Sequence, residues 1–167
     1  MRPLLEILGN SLEGRVMVVG LGEAEAGDDG AGVRLVRALQ RRGRRRTLGA
    51  AERVYCLEAG TTPERYLGVI ERGRFDHVVL VDAVDFGQAA GSVGWWAAED
   101  IRARHPQVST HRMSLGLLAQ VWTADGRTRV WLLGVQPGTL RRGTGLSRPV
   151  ARTCGGLLRL LREVGRN

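Results

Sequence analysis

Carboxylates gather at a few points along this chain, and one imidazole stands apart from them. Glu23, Glu25, Asp28 and Asp29 lie in or beside a glycine-rich run. Asp82 and Asp85 close an apolar run that begins at His77. His111 follows Ser109-Thr110, and Gln136 precedes Pro137. Aspartate and histidine drawn from separate segments suit a divalent transition metal. Imidazole is a good donor to nickel and zinc, and carboxylate adds charge neutralisation. A histidine near a helix N-terminus is kept neutral, the form a ligand needs. Each residue also has a plainer use. Asp28 is expected to cap a helix rather than to hold a metal. Asp82 serves a turn as readily as a site, and His111 taken alone reads as an ordinary first-turn histidine. Glu23 and Glu25 read as solvated loop residues, His77 and His105 as structural or exposed. Ser109 and Thr110 read as caps, and the chain has no G-x-S-x-G elbow.

The elements that must position these groups follow from hydrophobic periodicity. Apolar runs predict buried strands at 15–20 and 77–82, further strands at 54–57 and 129–134, and a strand nearer an edge at 91–96. Asp28 or Asp29 caps a helix carrying Val33, Val36, Ala38 and Leu39 at helical spacing. Thr62 and Pro63 open a second helix as N-cap and first position. A third follows Ser109-Thr110-His111 and runs to about Thr123, and an amphipathic one runs from about Arg148 to Val164. Strands alternate with helices, which predicts a three-layer αβα fold around a mostly parallel five-stranded sheet. In such sheets the functional crevice lies beyond the carboxyl ends of the strands. The carboxylates and His111 all fall at those ends, so they can converge although distant in sequence. The 167 residues fit one domain.

Composition removes other functions. All 25 basic residues are arginine and the net charge is +8. Without lysine there is no P-loop lysine, Schiff base or Ser-Lys dyad. The run Arg41 to Arg46 reads as a solvated helix end without aromatic interleaving, not as a nucleic-acid patch. Cys56 and Cys154 lack zinc spacing and read as reduced, mostly buried thiols. No apolar run approaches the ~18 residues of a membrane span, and no signal peptide is read, so a cytoplasmic protein is expected. Gly20-Leu21-Gly22 follows a strand as in a dinucleotide fold. The third glycine of that fingerprint would be Glu25, whose charge opposes a pyrophosphate.

The separated segments resemble one family, the [NiFe]-hydrogenase maturation endopeptidases. Val19-Gly20-Leu21-Gly22 with Gly27-Asp28-Asp29-Gly30-Ala31-Gly32 resembles its first loop. Ala59-Gly60-Thr61-Thr62-Pro63-Glu64, Val81-Asp82-Ala83-Val84-Asp85-Phe86-Gly87 and Ser109-Thr110-His111-Arg112-Met113-Ser114-Leu115 are similar to its next three segments. Leu133-Gly134-Val135-Gln136-Pro137, then Gly145-Leu146-Ser147, resembles its last. The resemblance is greatest to the branch serving formate-hydrogenlyase hydrogenases. It implies an endopeptidase that removes the C-terminal extension of a hydrogenase large-subunit precursor after nickel insertion. It puts the metal contacts on Asp29, Asp82 and His111, with nickel supplied by the precursor, and it implies a monomer. The competing expectation is a metal-binding or chaperone module that holds the precursor without cutting it. One position departs from the family: Glu23 stands where an asparagine is usual, so a carboxylate replaces a donating amide.

Overall fold

A computed structural model describes residues 12–43, 53–104 and 114–165. In chain order the elements are β1 (Val16–Leu21), a 3-10 turn (Gly27–Gly30), α1 (Ala31–Gly43), β2 (Val54–Gly60) and a second 3-10 turn (Pro63–Tyr66). Then come α2 (Leu67–Gly73), β3 (His77–Ala83), β4 (Val93–Ala97), α3 (Ala98–Arg104), α4 (Leu115–Thr123), β5 (Arg129–Val135) and α5 (Arg148–Val164). The strands form a five-stranded sheet ordered β2-β1-β3-β5-β4. All neighbours are parallel except β4, which runs antiparallel to β5 at the edge.

Alternation along the strands builds two cores. Val16, Val18, Val79, Val81, Leu133 and Val135 face α1 and α5, where Leu35, Val36, Leu157 and Leu161 cover them. Met17, Val19, Val78, Leu80, Val130 and Leu132 face the other way, against Ile70 of α2, Ile101 of α3 and Leu118 and Trp122 of α4. Residues two apart share a face, and strands buried on both faces read as continuous apolar runs. The expected three-layer fold is therefore the observed one.

Local starts differ from expectation. Neither Asp28 nor Asp29 caps α1. Both sit inside the 3-10 turn, whose N-cap is Ala26 with no side-chain cap bond, and α1 begins only at Ala31. Thr62 likewise makes no cap bond, and Pro63 opens a 3-10 turn rather than a helix. In α4 the cap is Ser114, whose Oγ accepts the Leu117 N–H at 3.2 Å. The capping role expected of Ser109 and Thr110, and the place of His105 and His111, lie outside the described residues, as do Arg44 to Arg46. Trp95, Trp96, Trp122 and Trp131 pack in or against the cores, as expected. Trp95 stacks on Trp131 with centroids 5.1 Å apart.

Candidate active site

The sheet order reverses between β1 and β3. From β1 the chain crosses to β2 on one side; from β2 it returns to β3 on the other. Loops leaving β1 and β3 therefore part at their carboxyl ends and open a crevice there. Two of the three expected metal contacts lie at this point. The register pairs Gly20 with Val81, so Leu21 and Asp82 come next on adjacent strands. Asp82 is 3% exposed, and its Oδ1 accepts the Ala83 N–H at 2.9 Å. It shares a face with Val78 and Leu80, the face covered by α4.

Asp29 arrives by way of glycine. Gly22 has φ of 99°, and a Cβ there would overlap the Asp29 carbonyl oxygen. A Cβ on Gly32 would run into the carbonyl of Val81 in β3, and one on Gly20 into that of Gly32. The glycines let the turn and the first residues of α1 lie directly on the ends of β1 and β3. They serve close backbone packing, and the space over Gly22 belongs to Asp29 rather than to a phosphate. One oxygen of Asp29, Oδ2, accepts the Glu23 N–H at 2.5 Å. Arg34 holds the same loop through its bond to the Ala24 carbonyl at 2.8 Å.

Asp28 does something else. It is fully buried, and three backbone N–H groups converge on its carboxylate. Gly138 (2.8 Å) and Thr139 (3.0 Å) meet Oδ2, and Ser147 (2.6 Å) meets Oδ1. Burial by itself would raise its pKa. The donors from Ser147, Gly138 and Thr139 outweigh that and hold it below the ordinary value. The expected helix cap is thus a clamp on the loop between β5 and α5.

The remaining polar residues are structural. Gln136 is buried; its Oε1 accepts the N–H of Phe86 and Gln88, and its Nε2 donates to Asp85. The bond from Gln136, then that from the Gly87 N–H, lowers the Asp85 pKa. Glu23 pairs with Arg142 at 2.5 Å, and Glu25 lends its carbonyl to Gly143. His77 lies at the opposite end of β3, where Nδ1 accepts from Trp131 Nε1 at 3.1 Å. Burial and then Arg129 push its pKa down. Cys154 is buried, and its thiol is pushed up to about 11 by burial and the Asp28 charge, so at neutral pH it is no nucleophile. Cys56 and Cys154 are not joined in a disulfide; Cys154 is buried as expected and Cys56 half-buried. Among the described residues no three His, Cys, Asp or Glu side chains form a metal-holding group; His111 is outside them. No helix there is long and apolar enough to cross a membrane.

Residue types do not reveal Arg142 as the partner of Glu23, nor the burial of Glu64. The Oε2 of Glu64, just beyond β2, is buried without a hydrogen-bond partner. No periodicity marks either one.

A three-layer α/β fold with two aspartates beside the switch point of its sheet has an acidic crevice where proteins of this architecture carry their sites. Comparison narrows the class. The family model described as "Hydrogenase maturation protease" matches residues 33–161. The chain belongs to the hydrogenase maturation protease family, a family of endopeptidases. It is 29% identical over 137 residues to the hydrogenase 2 maturation protease of Escherichia coli, covering 80% of this chain and 79% of that protein. The crystal structure of the [NiFe] hydrogenase maturation protease HycI from Thermococcus kodakarensis superposes with a TM-score of 0.82. It is 27% identical and is covered, as is this chain, over 99% of its length. The hydrogenase maturating endopeptidase HybD of Escherichia coli gives 0.68 at 26% identity, over 90% of this chain and 94% of that one. Relatives named for different hydrogenases match side by side, so the formate-hydrogenlyase branch is not singled out.

Proposed function

We propose that this protein is the endopeptidase that removes the C-terminal extension of a [NiFe]-hydrogenase large-subunit precursor after nickel insertion. In this reading it recognises the metal through Asp29, Asp82 and His111. The observation that carries the reading is that Asp82 ends β3 while Asp29, in the 3-10 turn, packs on the loop that leaves the adjacent β1, at the switch point of the sheet. The Asp82 side falls on the face of α4, and the segment bearing His111 leads into that helix. Two hard oxygen donors and an imidazole suit nickel.

Nickel is here a part of the substrate, carried in by the precursor. What it supplies is Lewis acidity toward a carbonyl or a bound water. The chain's own part is to hold and orient. The Glu23 N–H fixes one oxygen of Asp29 and leaves Oδ1 as donor. Asp82 is held at its strand end in low exposure, which strengthens its attraction for a cation. Requiring the metal makes nickel loading the signal for cleavage. The protein works as a single domain and a monomer, in the cytoplasm, without nucleic acid or membrane.

A nickel-loaded precursor should be shortened by the wild type and left intact by Asp29→Ala and His111→Ala, as read by mass. Equal processing by the variants would sink the assignment. Stoichiometric binding of the precursor with no change in its mass would instead identify a non-catalytic chaperone module.

A further inference from the structure

The loop from Pro137 to Ser147 is held at both feet and open at its apex. Its first foot is the pair of N–H bonds from Gly138 and Thr139 to Asp28, returned by the Asp28 N–H to the Thr139 carbonyl at 2.9 Å. Its second foot is the Ser147 N–H on the same carboxylate. Between them, Gly143 donates to the Glu25 carbonyl, Ala26 and Thr144 form a parallel bridge, and Thr144 Oγ1 closes on the Arg141 carbonyl. The side chains this framework leaves in solvent are those of Leu140, Arg141 and Arg142. Leu140 is 55% exposed, the most open of the large apolar side chains among the described residues.

We propose that this apex is the edge on which the precursor polypeptide docks, through a segment that offers an apolar side chain flanked by carboxylates. The proposal rests on the endopeptidase reading and names the surface by which that site takes its substrate. A lone exposed leucine is ordinary. This one is presented by a loop with its backbone fixed, so little conformational entropy remains to be lost on binding. Guanidinium groups follow it directly. Arg141 has no ion pair among the described residues, and the net charge of +8 favours an acidic partner. The apex also adjoins the crevice. Arg142 grips Glu23, and the Glu23 N–H touches Asp29. A polypeptide lying on Leu140 and Arg141 thus lies beside the residue pair, Arg142 and Glu23, that links the apex to the carboxylate proposed to meet its metal. A nucleic acid would use the arginines but gain nothing from the leucine.

The test uses the full chain and the nickel-loaded precursor, with Leu140→Ser and Arg141→Glu. Both side chains are exposed, so melting should stay within about 2 °C of the wild type. Each variant should weaken precursor binding, and raise KM for processing, by roughly tenfold while kcat moves less than twofold. Wild-type KM should rise with ionic strength, and that rise should flatten in Arg141→Glu. Precursor affinity within twofold of wild type in both variants would overturn the proposal. So would a loss confined to RNA affinity in Arg141→Glu. Direct binding separates the two readings. If the wild type binds without cutting and the variants still bind weakly, the apex stands and the endopeptidase reading falls.

Discussion

Asp28 and Asp29 are neighbours of the same chemical type with opposite employment. Asp28 is turned inward, reaches no solvent and is satisfied by three backbone N–H groups from a loop more than a hundred residues away. Asp29 is half-buried, takes one N–H from its own loop, and faces the switch point between β1 and β3. The difference lies in what each carboxylate still has to give. A carboxylate offers about four lone-pair sites. Three strong donors nearly exhaust Asp28, and its charge is spent on holding the Pro137 to Ser147 loop. Asp29 accepts one N–H on Oδ2, and in the proposed function its other oxygen is the one that meets the metal. One short turn thus carries both a carboxylate that holds a distant loop and one that the proposed function assigns to the crevice.

The largest expected effect separates the two by assay. Asp29→Ala should abolish processing, a fall beyond about a hundredfold, yet cost under about 1 kcal/mol because it strands only one N–H. Asp28→Ala should do the reverse to stability. It strands three buried donors and should cost about 3 kcal/mol, or roughly 10 °C in Tm for a chain of this size. Thermal melts beside precursor cleavage read both. Equal destabilisation by the two alanines would break the contrast.

Acid should then show the Asp28 clamp as a titration. Its folded pKa lies below the ordinary 3.8, because its backbone donors outweigh burial. The stabilisation is therefore complete above 3.8 and is lost as pH falls through the lower folded value. Asp28→Asn should be less stable at neutral pH, and its deficit should shrink on going to strong acid. Urea denaturation at both pH values checks this. Asp85, Asp125 and Glu58 shift in the same direction, Asp85 by the Gln136 amide and then the Gly87 N–H, Asp125 by bonds within its own turn and Glu58 by its pair with Arg37. The wild-type curve is a sum, and only the difference between wild type and variant isolates Asp28. A deficit that is constant with pH would mean the lost bonds do not depend on charge.

The same contrast marks what was legible beforehand. The run Val78 to Val81 announces a strand covered on both sides, and the Asp82 that ends it announces the crevice. Periodicity and strand-end logic are local, so they survive in a single sequence. Gly22 and Gly32 were legible as glycines but not by purpose; the overlap each avoids is with Asp29 or Val81. The clamp of Asp28 was not legible at all. Its donors are backbone N–H groups, which every non-proline residue carries, so no residue type advertises them. The 3-10 turn before α1 was hidden for a related reason: aspartate suits a cap, and only the distant loop draws Asp28 inward instead. The edge strand β4 showed its place but not its antiparallel direction, since a short connection from β3 fits several routes.

The smallest expected effect tests Glu23, where the chain leaves its family's pattern. The contact with Asp29 is made by the Glu23 backbone N–H, and the side chain turns instead to Arg142. Replacement by the usual asparagine keeps that N–H and loses only an ion pair whose arginine is 74% exposed. Such a pair contributes about 0–1 kcal/mol, and salt screens it. Glu23→Asn should therefore lower Tm by no more than about 3 °C and change kcat for processing by less than about threefold. Raised ionic strength should erase the difference in melting. A hundredfold loss of processing at unchanged Tm would show the opposite, that the Glu23 carboxylate belongs in the crevice with Asp29. The line between an armed aspartate and a structural surround would then have to be redrawn one residue further along the loop.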